Sequence, residues 1–182
     1  MLENLLTALW REVELLDLPV ATDRAPGVAA RILENYFSKS VPPEVAGWFG
    51  ACNGIIHRPG QTQNDAALIP GYEPLSIEDS ASIMAEHPHE SILLSDFYPL
   101  LASGGGDFYA ASYDQDAGLS YVVSVVVGEE SRIAYRSITQ MIEGFVQCYR
   151  DGVFFLDGER VLQADDEAWI QRERAAIGDS LP

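Results

Sequence analysis

The stretch from Phe97 to Val127, FYPLLASGGGDFYAASYDQDAGLSYVVSVVV, decides the fold. Phe97 to Ala102 is apolar and stops at Ser103-Gly104-Gly105-Gly106, a turn. Asp107 to Tyr113 and Leu119 to Val127 are rich in aromatic and β-branched residues, with Asp114 to Gly118 between them. Arg132 to Arg136 supplies one more short strand. Successive strands joined by loops of about five residues predict an antiparallel meander.

Helical patterns lie on both sides of this block. Leu2, Leu5, Leu6, Leu9, Trp10, Val13 and Leu16 recur at spacings of three and four, which predicts a helix over 2–16. A second helix is expected over 26–37, with Pro26 in its first turn. A third starts at Pro43 and buries Val45, Trp48, Phe49 and Cys52, with Asn53-Gly54 as a left-handed stop. Residues 55–57 read as a short strand, 58–67 as a polar loop and 67–75 as a strand. Ser76 with Asp79, and Ser137 with Gln140, form capping patterns that open helices over 77–86 and 138–150. Residues 153–156 form a small strand, and a last helix follows Asp165-Asp166-Glu167 and ends at Ile177. The class is therefore α+β, a mostly antiparallel sheet of about four to six strands flanked by helices. At 182 residues, one domain is expected over the whole chain.

Composition narrows the function classes. Hydrophobic residues make up 47% and charged residues 21%, which excludes disorder and coiled coil. No apolar run reaches the ~20 residues that span a bilayer. The N-terminal segment lacks a basic stretch before its apolar residues and does not read as a secretory signal. Two cysteines, Cys52 and Cys148, are too few for a disulfide framework and fit buried thiols in a reducing cytoplasm.

The formal charge is −17. Residues 61–120 hold no Lys or Arg and ten acids: Asp65, Glu73, Glu78, Asp79, Glu86, Glu90, Asp96, Asp107, Asp114 and Asp116. Such a surface repels phosphate, so neither nucleic acid nor an anionic membrane is an expected partner. A basic protein would be attracted and steered in. Two readings stay open: the acids keep the chain soluble, or they form a functional face.

No catalytic or cofactor set emerges from the residues. The glycines at 104–106 precede a strand and lack a following Lys-Ser or Lys-Thr, so they read as a turn rather than a phosphate loop. Asp114 to Gly118 opens like a calcium loop, but Gly118 stands where a third ligand belongs, and no metal is expected. His57, His87 and His89 form no ligand set, and no G-x-S-x-G elbow exists around Ser103 or Ser112. Tyr98, Tyr109, Tyr113 and Tyr121 lie in the strand block, and some must face outward on alternating strands. The expected partner-binding residues are Asp96, Asp107, Asp114 and Asp116, with Tyr109 or Tyr113 as aromatic anchors. Asn53, Gly54, Gly105 and Gly106 are expected to be structural turn residues.

The order of these pieces resembles the SMI1/KNR4 family, also called the SUKH superfamily. The resemblance rests on four segments. They are Val41-Pro42-Pro43-Glu44 with Trp48-Phe49 and Asn53-Gly54; Tyr72 to Asp79; Leu100 to Ala110 with its glycine hairpin; and Ser137 to Phe145. It covers about 26–152, leaving helices 2–16 and 165–177 as additions. Pro42, Ser103 and Met141-Ile142 depart from the family pattern. The resemblance implies an α+β fold and a non-catalytic, cofactor-free interaction protein. Many bacterial members are immunity proteins that neutralise toxins, often nucleases or deaminases, and fungal members are regulatory interaction proteins.

Overall fold

The computed structural model describes residues 1–87, 92–94, 96–114, 116 and 118–178. The expected calls on His89 and Glu90 lie outside these residues. The chain opens with α1 (Leu2–Leu15), α2 (Val20–Asp23), α3 (Ala30–Phe37), α4 (Pro43–Ala51) and α5 (Gln63–Ala66). Then come β1 (Glu73–Pro74), α6 (Ile77–Glu86), β2 (Asp96–Ala102), β3 (Phe108–Asp114), β4 (Leu119–Val125) and β5 (Arg132–Tyr135). The chain closes with α7 (Ile138–Arg150), β6 (Phe154–Leu156), β7 (Leu162–Ala164) and α8 (Asp166–Ile177). The five strands β1 to β5 form one antiparallel sheet in sequence order, and β6 pairs with β7 in a separate hairpin.

Alternation along the strands builds two apolar layers. Tyr98, Tyr109, Ala111 and Val122 point to the layer made by α1, α4 and α7, where Leu9, Val13, Trp48, Phe49, Met141, Ile142 and Phe145 are buried. Phe97, Phe108, Ala110, Val123 and Val125 point the other way, under Leu75, Ile83 and Met84. Pro99 interrupts β2, and the register shifts between Pro99 and Leu101. The Pro99 carbonyl still finds a partner, because the Ser80 hydroxyl of α6 donates to it at 2.8 Å.

Several boundaries differ from expectation. The helix expected from 26 begins at Ala30. Pro26 and Gly27 stay outside it because the chain passes against the end of α4. A Cβ on Gly27 would lie 1.9 Å from the Gly50 carbonyl oxygen, and Val28 donates its N–H to Phe49 at 2.9 Å. The strand expected over 67–75 breaks at Pro70-Gly71, where Gly71 takes φ +80°, leaving an Ile69–Tyr72 bridge and the two residues of β1. The strand expected at 55–57 is a single bridge between Ile55 and Arg24. Inside the polar loop, Thr62 and Asp65 close a reciprocal capping box that nucleates α5. The capping starts at Ser76 and Ser137 stand as expected, with each hydroxyl accepting an N–H three residues on.

The C-terminal helix is fastened to the sheet by a buried charge. Glu173 of α8 is 1% exposed. Its carboxylate meets the Arg132 guanidinium of β5 at 2.5 Å and accepts from the Tyr109 hydroxyl of β3 at 2.8 Å. Burial, and then the adjacent Glu173 charge, push the Tyr109 phenol well above its ordinary range. Burial does the same to Tyr98, Tyr135 and Tyr149. All four are buried.

A phenol whose folded pKa lies above its unfolded value contributes stability that is complete below the unfolded pKa of about 10 and is lost as pH rises above it. Stability is therefore expected to fall steeply above pH ~10, by up to about 1.4 kcal/mol per pH unit for each tyrosine that ionises only on unfolding. Tyrosinate absorbance and far-ultraviolet circular dichroism should change together in an alkaline titration. Full ionisation with the dichroism intact would contradict this packing.

Candidate partner-binding surface

One end of the sheet gathers four of the six expected partner-binding residues. β2 begins at Asp96, whose cross-strand partner is Tyr113. Asp114 ends β3 opposite Leu119, and Asp116 stands exposed in the turn that follows. Gly118 closes that turn with φ +65°, a conformation that favours glycine. Asp96, Tyr113, Asp114 and Asp116 thus share one tip by strand register alone.

The loop after α3 completes the surface. Ser38 ends the helix in a left-handed conformation, φ +54°. That turn sends Lys39, the chain's single lysine, back to pair with Asp96. The Lys39 ammonium also sits 5.0 Å from the Tyr98 ring centroid. The half-buried Tyr113 ring lies 6.3 Å from Tyr98, edge to face. With Ser40, Val41, Pro42 and Pro43 it lines a shallow cleft of ≈ 300 Å³. Burial, and then the Glu44 carboxylate, push the Tyr113 phenol upward. Glu44 itself is committed: it accepts the backbone N–H groups of Ile138 and Thr139, at 3.1 and 3.2 Å, at the start of α7.

Asp107 and Tyr109 lie away from this tip, and the burial of Tyr109 rules it out as an exposed anchor. Asp107 lies at the opposite end of the sheet, in the glycine turn. Its Oδ2 accepts from the Ser103 hydroxyl at 3.1 Å, and its Oδ1 accepts from the Val127 N–H at 2.9 Å. It ties the β2–β3 turn to the β4–β5 loop. Tyr109 is 2% exposed and spends its hydroxyl on Glu173, so it anchors α8 and not a partner.

The acidic stretch is likewise spread out rather than gathered on one face. Asp65 and Asp79 serve helix caps, and Glu73 is half-buried with its carboxyl pushed up by burial, 4.0 Å from His57. Glu78 and Glu86 are exposed along α6.

Of the expected turn residues, Asn53, Gly54 and Gly106 meet a specific structural requirement. Asn53 Oδ1 accepts the Ile77 N–H at 2.9 Å, which joins α4's exit to α6's start. Gly54 takes φ +80°, and a Cβ there would lie 2.8 Å from the Ser76 nitrogen. Gly106 also takes a positive φ, whereas Gly105 has room for a side chain and no such requirement. The two thiols are buried, and burial pushes both up to about 11, away from nucleophilic use.

Among the described residues no group of three or more His, Cys, Asp or Glu side chains is placed to hold a metal ion. None of the described helices is long and apolar enough to cross a membrane. No protein-family model matches the chain, and neither does any curated protein.

Proposed function

We propose that this chain is a non-catalytic protein-binding module of the SMI1/KNR4 type, an immunity protein that neutralises a basic toxin domain in the cytoplasm. The observation that carries the reading is the convergence of Asp96, Tyr113, Asp114 and Asp116 at one end of a rigid antiparallel sheet. The charge balance supports it. Lys39, Arg58, Arg132, Arg150, Arg160 and Arg172, six of the eleven basic residues, are paired with carboxylates of the same chain. The net charge of −17 sets the long-range field that a partner meets.

A nuclease or deaminase that grips nucleic acid presents a cationic cleft. The tip offers it carboxylates at the turn and a tyrosine beside a shallow apolar cleft. Charge attraction raises the association rate from a neutral ~10⁵–10⁶ M⁻¹s⁻¹ and makes it fall with salt. Tyr113 and the 40–43 loop set the residence time. The free buried thiols suit a reducing compartment.

The test pairs the purified chain with the protein encoded beside it, using surface plasmon resonance over a range of ionic strength. Asp114→Lys combined with Asp116→Lys is expected to slow association at least about tenfold at low salt. Binding that ignores both salt and the charge reversal contradicts the proposed surface. Absence of any complex contradicts the immunity reading.

A further inference from the structure

A second cleft lies between α1 and α4, and Pro43 borders both it and the cleft beside Tyr113. The α1–α4 cleft measures ≈ 550 Å³, within the usual range for sites that take small organic molecules. One wall is the ridge of Leu2, Leu6 and Trp10, spaced one turn apart along α1. The other wall is the small face of α4: Pro43, Gly47, Gly50 and Ala51. α4 turns Val45, Trp48 and Phe49 to the core, so the face it presents to the cleft carries only small side chains.

A cation stands at one end. The Arg24 guanidinium carbon lies 4.6 Å from the centre of the Trp10 ring. Its backbone is fixed by the bridge to Ile55. Six other basic residues are paired with carboxylates of the chain, yet Arg24 makes no such pair among the described residues. The neighbouring Asp23 is unavailable to it, since Arg58 and Gln61 hold that carboxylate. Glu3 marks the other end, two turns back along α1.

We infer that the α1–α4 cleft binds a small organic carboxylate with a flat or chain-like apolar body. The carboxylate takes the Arg24 end, where the stacked guanidinium presents its N–H edges for a paired hydrogen bond. The apolar body runs along Leu2, Leu6 and the glycine face.

The probe is naphthoate, with neutral naphthamide as its comparison, followed by tryptophan fluorescence and ligand-observed NMR on the full chain. Saturable binding of naphthoate is expected, at least about tenfold tighter than naphthamide. Arg24→Gln should remove that preference. Gly47→Leu should abolish binding of both, because its side chain grows into the cleft; the Cβ alone would sit 3.0 Å from the Leu2 side chain. Arg24→Gln lies at an exposed position and keeps the test open should Gly47→Leu fail to fold. Naphthamide binding as tightly as naphthoate, affinity unchanged in either variant, or no saturable binding would overturn the assignment.

Discussion

Arg132→Leu is expected to lower the unfolding free energy by about 3–5 kcal/mol, measured by urea denaturation. The reason is the state in which it leaves Glu173. That carboxylate is 1% exposed, and without the guanidinium it is left against the Tyr109 and Tyr135 phenols, which carry no compensating charge. An uncompensated buried charge must then take a proton or return to water, and either route loosens α8. The double substitution Arg132→Leu with Glu173→Leu should recover much of the loss, because it removes the stranded charge as well as its partner. A loss under about 1 kcal/mol for the single variant would show that Glu173 is solvated and that the α8 clasp is not closed.

Phe145→Ala is the second large effect, again about 3–5 kcal/mol. Phe145 is fully buried on α7 and touches three rings edge-on or tilted: Tyr135 at 5.8 Å, and Tyr109 and Phe154 each at 6.2 Å between centroids. These rings come from β5, β3 and the β6–β7 hairpin, so a cavity here has rigid walls and cannot collapse. Phe145→Leu should cost clearly less, since it refills most of the volume. Equal destabilisation by the two variants in thermal or urea unfolding would mean that ring geometry, not volume, holds this layer.

The meander and its flanking helices were legible because their signals are local. Period-two alternation, glycine turns and serine caps act over a few residues, and β2 to β5, α6 and α7 stand where those signals put them. The start of α3 was not legible. Pro26 is a good first-turn residue, but Gly27 is pinned against the Gly50 carbonyl from another helix, and tertiary contact overrides propensity. The short helix α5 is signalled by the Thr62 and Asp65 pair alone, since the polar run around it carries no apolar periodicity.

The site was read in part. Strand register brings Asp96, Tyr113, Asp114 and Asp116 to one tip, as adjacency along two paired strands requires. Asp107 and Tyr109 sit in the same block, yet their partners, Val127 and Glu173, lie 20 and 64 residues away. Such distant pairings leave no local trace in a sequence. The pairing of Lys39 with Asp96 had a faint one, a single lysine in a chain of charge −17.

Hydrogen exchange of the chain with and without its partner bound tests the central claim most directly. The account predicts that slowed exchange concentrates at 111–114, 118–121 and 39–43, the paired strand ends and the adjoining loop. Protection confined to the glycine turn at 103–107, or to the exposed face of α6, would contradict it.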